Sequence, residues 1–311
     1  MATDSSALAA WEKLVPRQVA TNGIELRVFE AGEAGTGVPV VLCHGFPELA
    51  FSWRHQITAL ADAGYRVIVP DMRGYGGSSR PADPAAYDMA TLCGDLAGLL
   101  DALGLDDAVF VGHDWGAAVV WHMALLHPDR VRAVAGLSVP PAPRAPVPPM
   151  SILRSRLGDD FYICWFQTTE PENALRADIR RTLLSREAPT AAWAARQEPA
   201  ERLPSWLTED ELALYVRTFE ETGFTGGLNY YRNIDRNWEL MEPLAERTID
   251  QPSLFAIGSR DPVGTFSATD RLDRVLTDQR GQLVLDGAGH WIQQQRPDEI
   301  NAALLDFLTG L

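Results

Sequence analysis

Short apolar runs rich in β-branched residues alternate with helical patterns through the first half of this chain. The runs that predict strands are VPVVLC (38–43), RVIVP (66–70), AVFVG (108–112) and RAVAGLSV (132–139). Helical patterns lie between them, chiefly at Met89–Leu103 and Gly116–Leu126. Strands that are apolar at almost every position are buried on both faces. Their alternation with helices therefore predicts an α/β fold with a mostly parallel central sheet and helices on both faces.

A long segment without predicted strands interrupts this alternation. It begins with the proline-rich stretch 139–149, which cannot continue a helix or a central strand. Residues from 150 to about 242 carry helical patterns and many aromatic side chains. The sheet pattern resumes at 252–258 and 282–286, and a last helix is expected over about 297–310. An insertion after one strand of such a sheet lies beyond its carboxyl edge, where ligands bind, so it can act as a lid.

The predicted organisation has three segments. They are a first part of the α/β core (1–142), an inserted helical cap (143–242) and a second part of the core (243–311). The opening segment 18–32 predicts a β-hairpin that turns at Asn22-Gly23, because this dipeptide favours a two-residue hairpin turn.

Charge and composition exclude several functions. The formal net charge of −15 argues against nucleic acid as a partner, since phosphate binding needs clustered Lys and Arg, and it modestly disfavours an anionic substrate. No apolar run has membrane-spanning length, and no Cys/His metal spacing or phosphate-binding glycine loop is present, so no membrane, metal or cofactor partner is expected.

The three cysteines are scattered, and the amino terminus lacks the basic and apolar segments of a secretory signal. A scattered, odd set of thiols is typical of a reduced compartment, so a cytoplasmic location is expected.

Polar residues follow four of the predicted strands. The loops are HGFPE (44–48), GHDWG (112–116), SRDPV (259–263) and GAGHW (287–291). Three of them supply Asp114, Asp261 and His290, in the chain order nucleophile, acid, histidine that α/β-hydrolase triads show. Asp114 stands where a hydrolase of the G-x-S-x-G type carries its serine.

Each residue also has a simpler interpretation. An Asp before a helix is usually an N-cap, Asp261-Pro262 is an ordinary turn, and a lone His in a glycine-rich loop is more often structural. The conjunction of four loops, each directly after a strand and in the right order, favours catalysis. For Glu48 and His113 two interpretations stay open: they order water near the site, or they satisfy backbone groups.

The chain resembles the soluble epoxide hydrolases of the α/β-hydrolase fold. The resemblance covers nearly the whole chain, through HGFPE (44–48), SWRHQ (52–56), ALADAGYRVIVPDMRGYGGSS (59–79), FVGHDWG (110–116), MALLHPDRVRAV (123–134), GLNYYRNIDRNW (227–238) and GAGHW (287–291). It implies an α/β-hydrolase fold with a helical cap, and an enzyme that converts epoxides into diols without a cofactor.

A carboxylate suits attack on a saturated carbon. Serine would leave an unreactive ether there, whereas Asp114 leaves an ester whose carbonyl belongs to the enzyme and can be hydrolysed. Aspartate is ionised at neutral pH and needs no base for the first step. His290 is then free to activate water in the second step, with Asp261 orienting its ring.

Ester hydrolysis places negative charge on the carbonyl oxygen of Asp114, and backbone N–H groups must receive it. Trp115 supplies one N–H by its position after the nucleophile. The resemblance implies that Phe46 supplies the other and that Phe46-Pro47 is a cis bond.

Ring opening also creates an alkoxide that needs a proton donor, and tyrosine stays protonated at neutral pH. The resemblance implies a pair of cap tyrosines, matched here by Tyr162 in FYICWFQ and Tyr231 in GLNYYRN. Packing within the lid is the alternative role for either ring. Tyr230 is a rival of Tyr231, but adjacent helical residues point about 100° apart, so only one can face the site.

Two other functions compete. A haloalkane or haloacid dehalogenase shares the Asp nucleophile and the histidine, but it has no use for tyrosine proton donors. Phe46 stands where haloalkane dehalogenases carry an Asn, and Trp115 and Ala118-Val119 stand where haloacetate enzymes carry arginines, although Trp115 alone is compatible with halide binding. A noncatalytic hydrolase-fold binding protein would usually lack part of the constellation.

Aromatic residues in the insertion predict an apolar pocket, with Phe46, Trp115, Trp165 and Met150 as candidate lining residues. The expected partners are a small hydrophobic epoxide and water, with either a monomer or a homodimer possible.

Overall fold

One eight-stranded sheet lies at the centre of the protein, seen here in a computed structural model that describes residues 5–33, 37–185, 187–196, 198–267, 269 and 271–311. The strands are β1 (Arg17–Thr21), β2 (Ile24–Ala31), β3 (Val40–Cys43), β4 (Val67–Pro70), β5 (Ala108–His113), β6 (Val131–Leu137), β7 (Ser253–Gly258) and β8 (Gln279–Leu285). Their order across the sheet is β1-β2-β4-β3-β5-β6-β7-β8.

Helices connect and cover the strands. They are α1 (Ser5–Trp11), α2 (Arg54–Asp62), α3 (Met89–Leu103), α4 (Trp115–Leu126), α5 (Pro149–Leu157), α6 (Tyr162–Trp165), α7 (Glu170–Ala177), α8 (Ile179–Leu184), α9 (Ala191–Ala195), α10 (Glu209–Thr222), α11 (Thr225–Arg232), α12 (Ile234–Leu240), α13 (Ile292–Gln295) and α14 (Pro297–Thr309). Within the described residues, no helix is both long and apolar enough to cross a lipid bilayer.

The predicted sheet is confirmed. β1 and β2 form the expected antiparallel hairpin, and Asn22 and Gly23 both have positive φ (43° and 76°), as the favoured two-residue turn requires. β2 also runs antiparallel to β4, whereas all pairs from β4 to β8 are parallel. β3, β4, β5 and β7 are buried at every position, which explains their unbroken apolar sequences.

Several strand boundaries differ from the prediction by one to three residues, and two of these differences have a clear structural reason. β8 begins at Gln279, three residues early, because its first half alternates between covered and exposed positions at the sheet edge and carries polar residues there. β6 ends at Leu137 rather than at residue 139, because Ser138 has a φ of 68° that no strand residue adopts.

The register of the parallel strands brings their carboxyl ends to one edge. Cys43 pairs with Gly112, Gly112 with Gly136, and Leu137 with Ala256. β7 and β8 likewise end together. The loops that follow β3, β5, β6, β7 and β8 therefore lie side by side, at the edge where open α/β sheets bind ligands.

Helices α5 to α12 fill the segment between β6 and β7, and no strand occurs there among the residues that the structure describes. Division of the chain at residues 142 and 242 stays a prediction. Helix α11 approaches the core so closely that a Cβ on Gly226 would lie 2.1 Å from the carbonyl oxygen of Gly74. This contact of two backbones sets the height of α11 above the sheet.

Buried polar contacts also hold the helical segment to the core. The guanidinium of Arg54 is fully buried and donates to Glu211 on α10 (2.6 Å) and to Gln294 on α13 (2.6 Å). Asn233, at the end of α11, donates to the carbonyl oxygen of Pro84 (2.7 Å). Because a buried charge is costly when unpaired, Arg54 strongly disfavours separation of the two parts.

Gly226→Ala is expected to destabilise the protein, because its methyl group must displace backbone rather than a flexible side chain. Overpacking of this kind costs about 1–3 kcal/mol, measured as the free energy of unfolding in urea. Gly310→Ala, where the added Cβ has its nearest neighbour at 3.6 Å, is the matched control and should change stability little. Equal stability of the two variants would contradict the tight contact between α11 and the core.

Candidate active site

Asp114 occupies a sharp turn between β5 and α4. Its backbone has a φ of 54° and a ψ of −120°, a strained conformation for a residue other than glycine. Although Asp114 stands at the N-cap position, its carboxylate makes no capping hydrogen bond. The turn fits only because Gly116 lies against β3, where a Cβ would be 2.0 Å from the carbonyl oxygen of Cys43. The carboxylate is thus presented to the site rather than used by the helix.

The two oxygens of the Asp114 carboxylate have different environments. Oδ1 accepts a hydrogen bond from the backbone N–H of Phe46 (2.8 Å). Oδ2 lies 3.4 Å from Nε2 of His290. Asp114 is 9% exposed, so both oxygens face a largely dry environment. The peptide bond between Phe46 and Pro47 is cis, as the resemblance implied.

His290 is held on its other side by Asp261. Nδ1 of the ring lies 2.9 Å from Oδ2 of Asp261, whose side chain is fully buried. The second oxygen of Asp261 accepts from the backbone N–H of Val263 (2.9 Å) at the start of a short 3₁₀ helix. Asp261 therefore caps a short helix at the turn that Asp261-Pro262 predicted, and its other oxygen contacts the ring of His290.

Charge in this triad strongly favours a protonated histidine. Burial alone would lower the pKa of His290, but hydrogen bonds and charge from Asp114 and Asp261 outweigh it and raise the pKa to about 10. Burial would raise the pKa of Asp114, yet His290 and the Phe46 N–H hold it below its ordinary value. At neutral pH the arrangement is an imidazolium between two carboxylates.

Tyr162 on α6 and Tyr231 on α11 face the same space. Their ring centroids are 6.1 Å apart, and Tyr231 packs at 5.0 Å from the ring of Trp115. Burial, and then the charge of Asp114, raise the pKa of both phenols far above the ordinary value, so both keep their protons. Tyr230 points elsewhere: it is buried and donates to the carbonyl oxygen of Arg73 (2.8 Å).

Glu48 and His113 form a buried pair behind the histidine. Nδ1 of His113 lies 2.7 Å from Oε2 of Glu48, and its Nε2 lies 2.9 Å from the backbone carbonyl oxygen of His290. Oε1 of Glu48 accepts from the side chains of Gln293 (3.0 Å) and Gln294 (2.8 Å). These contacts are with protein groups, so they agree with the interpretation that the pair holds the loop of His290.

A cavity of about 500 Å³ opens onto the carboxylate. Besides Asp114 and His290 its wall contains Phe46, Tyr162 and Tyr231, and apolar residues that the sequence analysis did not select: Phe161, Phe166, Trp206, Val263 and Phe266. For Phe161, Phe166 and Trp206 the aromatic-rich insertion was the only signal, whereas Val263 and Phe266 lie after β7, in the second part of the core.

Three of the predicted lining residues lie elsewhere among the described residues. Trp115 is behind Tyr231, and the indole of Trp165 contacts Glu170 (3.3 Å). Met150 is buried at the start of α5, where its N–H donates to Asp235 (2.9 Å). Side-chain type alone suggested Trp165 and Met150, and the packing of the helices turns them away from the cavity wall. Among the described residues, no group of three His, Cys, Asp or Glu side chains is placed to hold a metal ion.

Comparison with known proteins gives one consistent picture. Residues 38–297 match the family model described as the alpha/beta hydrolase fold. The chain is 54% identical to epoxide hydrolase A of Mycobacterium tuberculosis, over 95% of this chain and 97% of that protein. It is 40% identical to epoxide hydrolase 3 of Siraitia grosvenorii, over 93% of this chain and 96% of that protein.

Solved structures agree with this. The crystal structure of epoxide hydrolase A from Mycobacterium thermoresistibile superposes with a TM-score of 0.91 at 52% identity, covering 96% of this chain and 99% of the other. An epoxide hydrolase of Vigna radiata gives a TM-score of 0.90 at 37% identity, with the same coverage.

Asp114→Asn is expected to lower the pKa of His290 from about 10 toward neutrality, because one of the two carboxylates that stabilise the imidazolium is lost. The ¹⁵N chemical shifts of the imidazole, followed by NMR from pH 6 to 11, measure this change. Asp106→Asn, which removes an exposed carboxylate ahead of β5, should leave the pKa of His290 unchanged. An unchanged pKa in Asp114→Asn would show that Asp261 alone sets the charge of His290.

Proposed function

We propose that this chain, which belongs to the epoxide hydrolases of the α/β-hydrolase fold, converts a hydrophobic epoxide into a vicinal diol. The reaction proceeds through a covalent ester on Asp114. One observation carries the proposal: two protonated tyrosines, Tyr231 buried and Tyr162 partly buried, line the same cavity as the Asp114 carboxylate. That carboxylate contacts His290 and makes no helix-capping hydrogen bond. Proton donors and a nucleophile in one cavity suit the opening of a strained ether ring.

The first step is alkylation of Asp114. Oδ2 attacks an epoxide carbon, the ring C–O bond breaks, and Tyr162 or Tyr231 donates a proton to the leaving oxygen. Oδ1 is already bound to the N–H of Phe46, which leaves Oδ2 as the attacking atom. The raised pKa of both phenols keeps the donors protonated at neutral pH.

The second step is hydrolysis of the ester. His290 removes a proton from water, and the resulting hydroxide attacks Cγ of Asp114. Negative charge then develops on Oδ1, where the N–H of Phe46 is in place at 2.8 Å and the N–H of Trp115 is expected to join it. Collapse of this intermediate breaks the bond between Cγ and Oδ2, the imidazolium of His290 returns a proton to the leaving oxygen, and the diol departs. The oxygen from water stays in the restored carboxylate.

Alkylation itself prepares His290 for its role as a base. The ester of Asp114 carries no charge, so one of the two carboxylates that raise the pKa of His290 disappears. The imidazolium can then release its proton to the tyrosinate left by the first step or to solvent. A group that is cationic in the resting enzyme thereby becomes neutral when water must be activated.

The tyrosines favour an epoxide over an alkyl halide. A halide leaves as a stable anion and requires no proton, whereas the alkoxide from an epoxide is strongly basic. The cavity wall, which contains Phe46, Phe161, Phe166 and Phe266, is apolar and suits a hydrophobic substituent. For Glu48 and His113 we favour a role in holding the loop of His290, because the contacts of both side chains are with protein groups.

The test offers styrene oxide and a chloroalkane to the enzyme side by side. Diol should form from the epoxide, with no halide from the chloroalkane. A single turnover in heavy-oxygen water should place the label in the Asp114 carboxylate, located by peptide mass spectrometry. His290→Gln should form the ester but hydrolyse it at least about 100-fold more slowly, so that intact mass rises by the mass of the substrate.

Two results would contradict this scheme. Label in the diol alone after one turnover would mean direct attack by water on the epoxide. Halide release without diol formation would show a dehalogenase instead. Asp106→Asn serves as the control variant, since its exposed carboxylate lies outside the site and should leave both rates unchanged.

Removal of both cavity phenols is expected to block the first step. Tyr162→Phe with Tyr231→Phe should slow alkylation at least about 100-fold, because no donor remains for the leaving oxygen, while each single variant keeps one donor. Stopped-flow quenching of tryptophan fluorescence measures the alkylation rate. Tyr230→Phe, in the adjacent position, should lower stability but leave alkylation intact, since its hydroxyl binds the Arg73 carbonyl. Undiminished alkylation in the double variant would remove the tyrosines from the mechanism.

A further inference from the structure

A tight turn follows β6, and its residues take no direct part in the two proposed chemical steps. The N–H of Val139 donates to the carbonyl oxygen of Leu137 (2.9 Å), which closes a three-residue turn around Ser138. Ser138 has a φ of 68° and is fully buried. Turns of this γ type are rare because they strain any residue that carries a Cβ. Such strain persists mainly where the surrounding structure needs the side chain in that place.

The turn contacts the strands and loops that carry all three members of the triad. The carbonyl oxygen of Leu137 accepts from the N–H of Asp114 (3.2 Å). The N–H of Ser138 donates to Ala256 on β7 (2.8 Å), the strand that leads to Asp261. The hydroxyl of Ser138 donates to the backbone carbonyl oxygen of His290 (2.6 Å). Of these contacts, only the last depends on the side chain.

We propose that Ser138 is a positioning residue for His290. The hydroxyl of Ser138 holds the main chain of His290, so that Nε2 of the imidazole reaches the ester and the water that hydrolyses it. The proposal rests on the proposed function of His290 as the base for hydrolysis. It is based on the contacts of the backbone carbonyl oxygen of His290, which accepts hydrogen bonds from the Ser138 hydroxyl (2.6 Å) and from Nε2 of His113 (2.9 Å). Two donors from the ends of β5 and β6 fix the backbone from which the imidazole extends.

The position of that backbone matters most for the second step. Nε2 of His290 is already 3.4 Å from Oδ2 of Asp114, at the long end of hydrogen-bond distance, so a small shift of the loop would break the contact. Proton transfer from water requires Nε2 of His290 to lie close to the Asp114 ester, whereas attack by Asp114 on an epoxide does not use the imidazole as a base. Loss of the Ser138 hydroxyl should therefore affect hydrolysis of the ester more than its formation.

Substitutions at Ser138 distinguish this positioning role from a hydroxyl that only satisfies its own hydrogen-bonding need. Glycine would form the same turn without strain, and alanine would keep the strain but lose the hydroxyl. If the hydroxyl only met its own need for a partner, replacement by either residue would leave the rates unchanged. If it positions His290, both replacements should slow the same step by the same factor, whatever they do to stability.

The experiment measures the two steps separately in Ser138→Ala and Ser138→Gly. Styrene oxide is mixed with excess enzyme, ester formation is followed by tryptophan fluorescence, and ester decay is followed by quenched-flow mass spectrometry. Hydrolysis should fall about fivefold in both variants, the effect of one lost hydrogen bond, with alkylation changed less than about twofold. The ester should accumulate to a higher fraction of enzyme than in the wild type.

Ser52→Ala is the matched control. Ser52 is equally buried, and its Oγ has no hydrogen-bond partner in the described part of the chain, so its removal should leave both steps unchanged. An unchanged hydrolysis rate in Ser138→Ala, or an equal fall in the rates of both steps, would overturn the role of Ser138. If the ester still accumulated in His290→Gln, the proposed function would stand. Absence of any ester in His290→Gln would overturn the proposed function and this inference with it.

Discussion

The site depends on the backbone conformation at Asp114. A non-glycine residue at a φ of 54° is tolerated because the neighbours on both sides leave no alternative path for the chain. A Cβ on Gly112 would lie 2.2 Å from the carbonyl oxygen of Gly116, and one on Gly45 would lie 2.4 Å from the Asp114 side chain. These close approaches bring the carboxylate to the N–H of Phe46. Because β5 lies between β3 and β6, the loop after β3 reaches the carboxylate through the Phe46 N–H, and the carbonyl oxygen of Leu137 at the end of β6 accepts from the backbone N–H of Asp114 (3.2 Å).

Burial of three ionisable groups in one place is costly, and local hydrogen bonds offset the cost. Oδ1 of Asp114 has the Phe46 N–H, and Oδ1 of Asp261 has the Val263 N–H. His290 satisfies one remaining oxygen on each carboxylate. Only Oδ2 of Asp114 is held loosely, at 3.4 Å, and it is the oxygen that faces the cavity in the proposed mechanism. The short contacts thus restrain Oδ1 of Asp114 and Nδ1 of His290. The long contact joins Oδ2 of Asp114 to Nε2 of His290, the two atoms that react in the proposed mechanism.

The sequence predicted those parts of the structure that follow from local pattern. Helix α3 has the predicted bounds, and the loops with Asp114, Asp261 and His290 meet because parallel strands end at one edge. The wall of the cavity could not be predicted in this way. Phe266 and Trp206 reach it through the packing of loops and helices, whereas Trp165 has the right chemistry but faces Glu170. Ser138 was predicted to lie within a strand (132–139), and the role proposed for it depends on the φ and contacts that only the structure supplies.

The replacement of serine by aspartate changes what the histidine must do at rest. In a serine triad the histidine has to be neutral from the start, because it activates the nucleophile. In the proposed mechanism Asp114 is already ionised and needs no base, so a resting imidazolium is compatible with the first step and stabilises the buried carboxylate. In the same mechanism neutral His290 is needed only after the ester forms, and formation of the ester removes the charge of Asp114. Electrostatics therefore favours the proposed order of the two steps, since the pKa of His290 falls only once the ester exists.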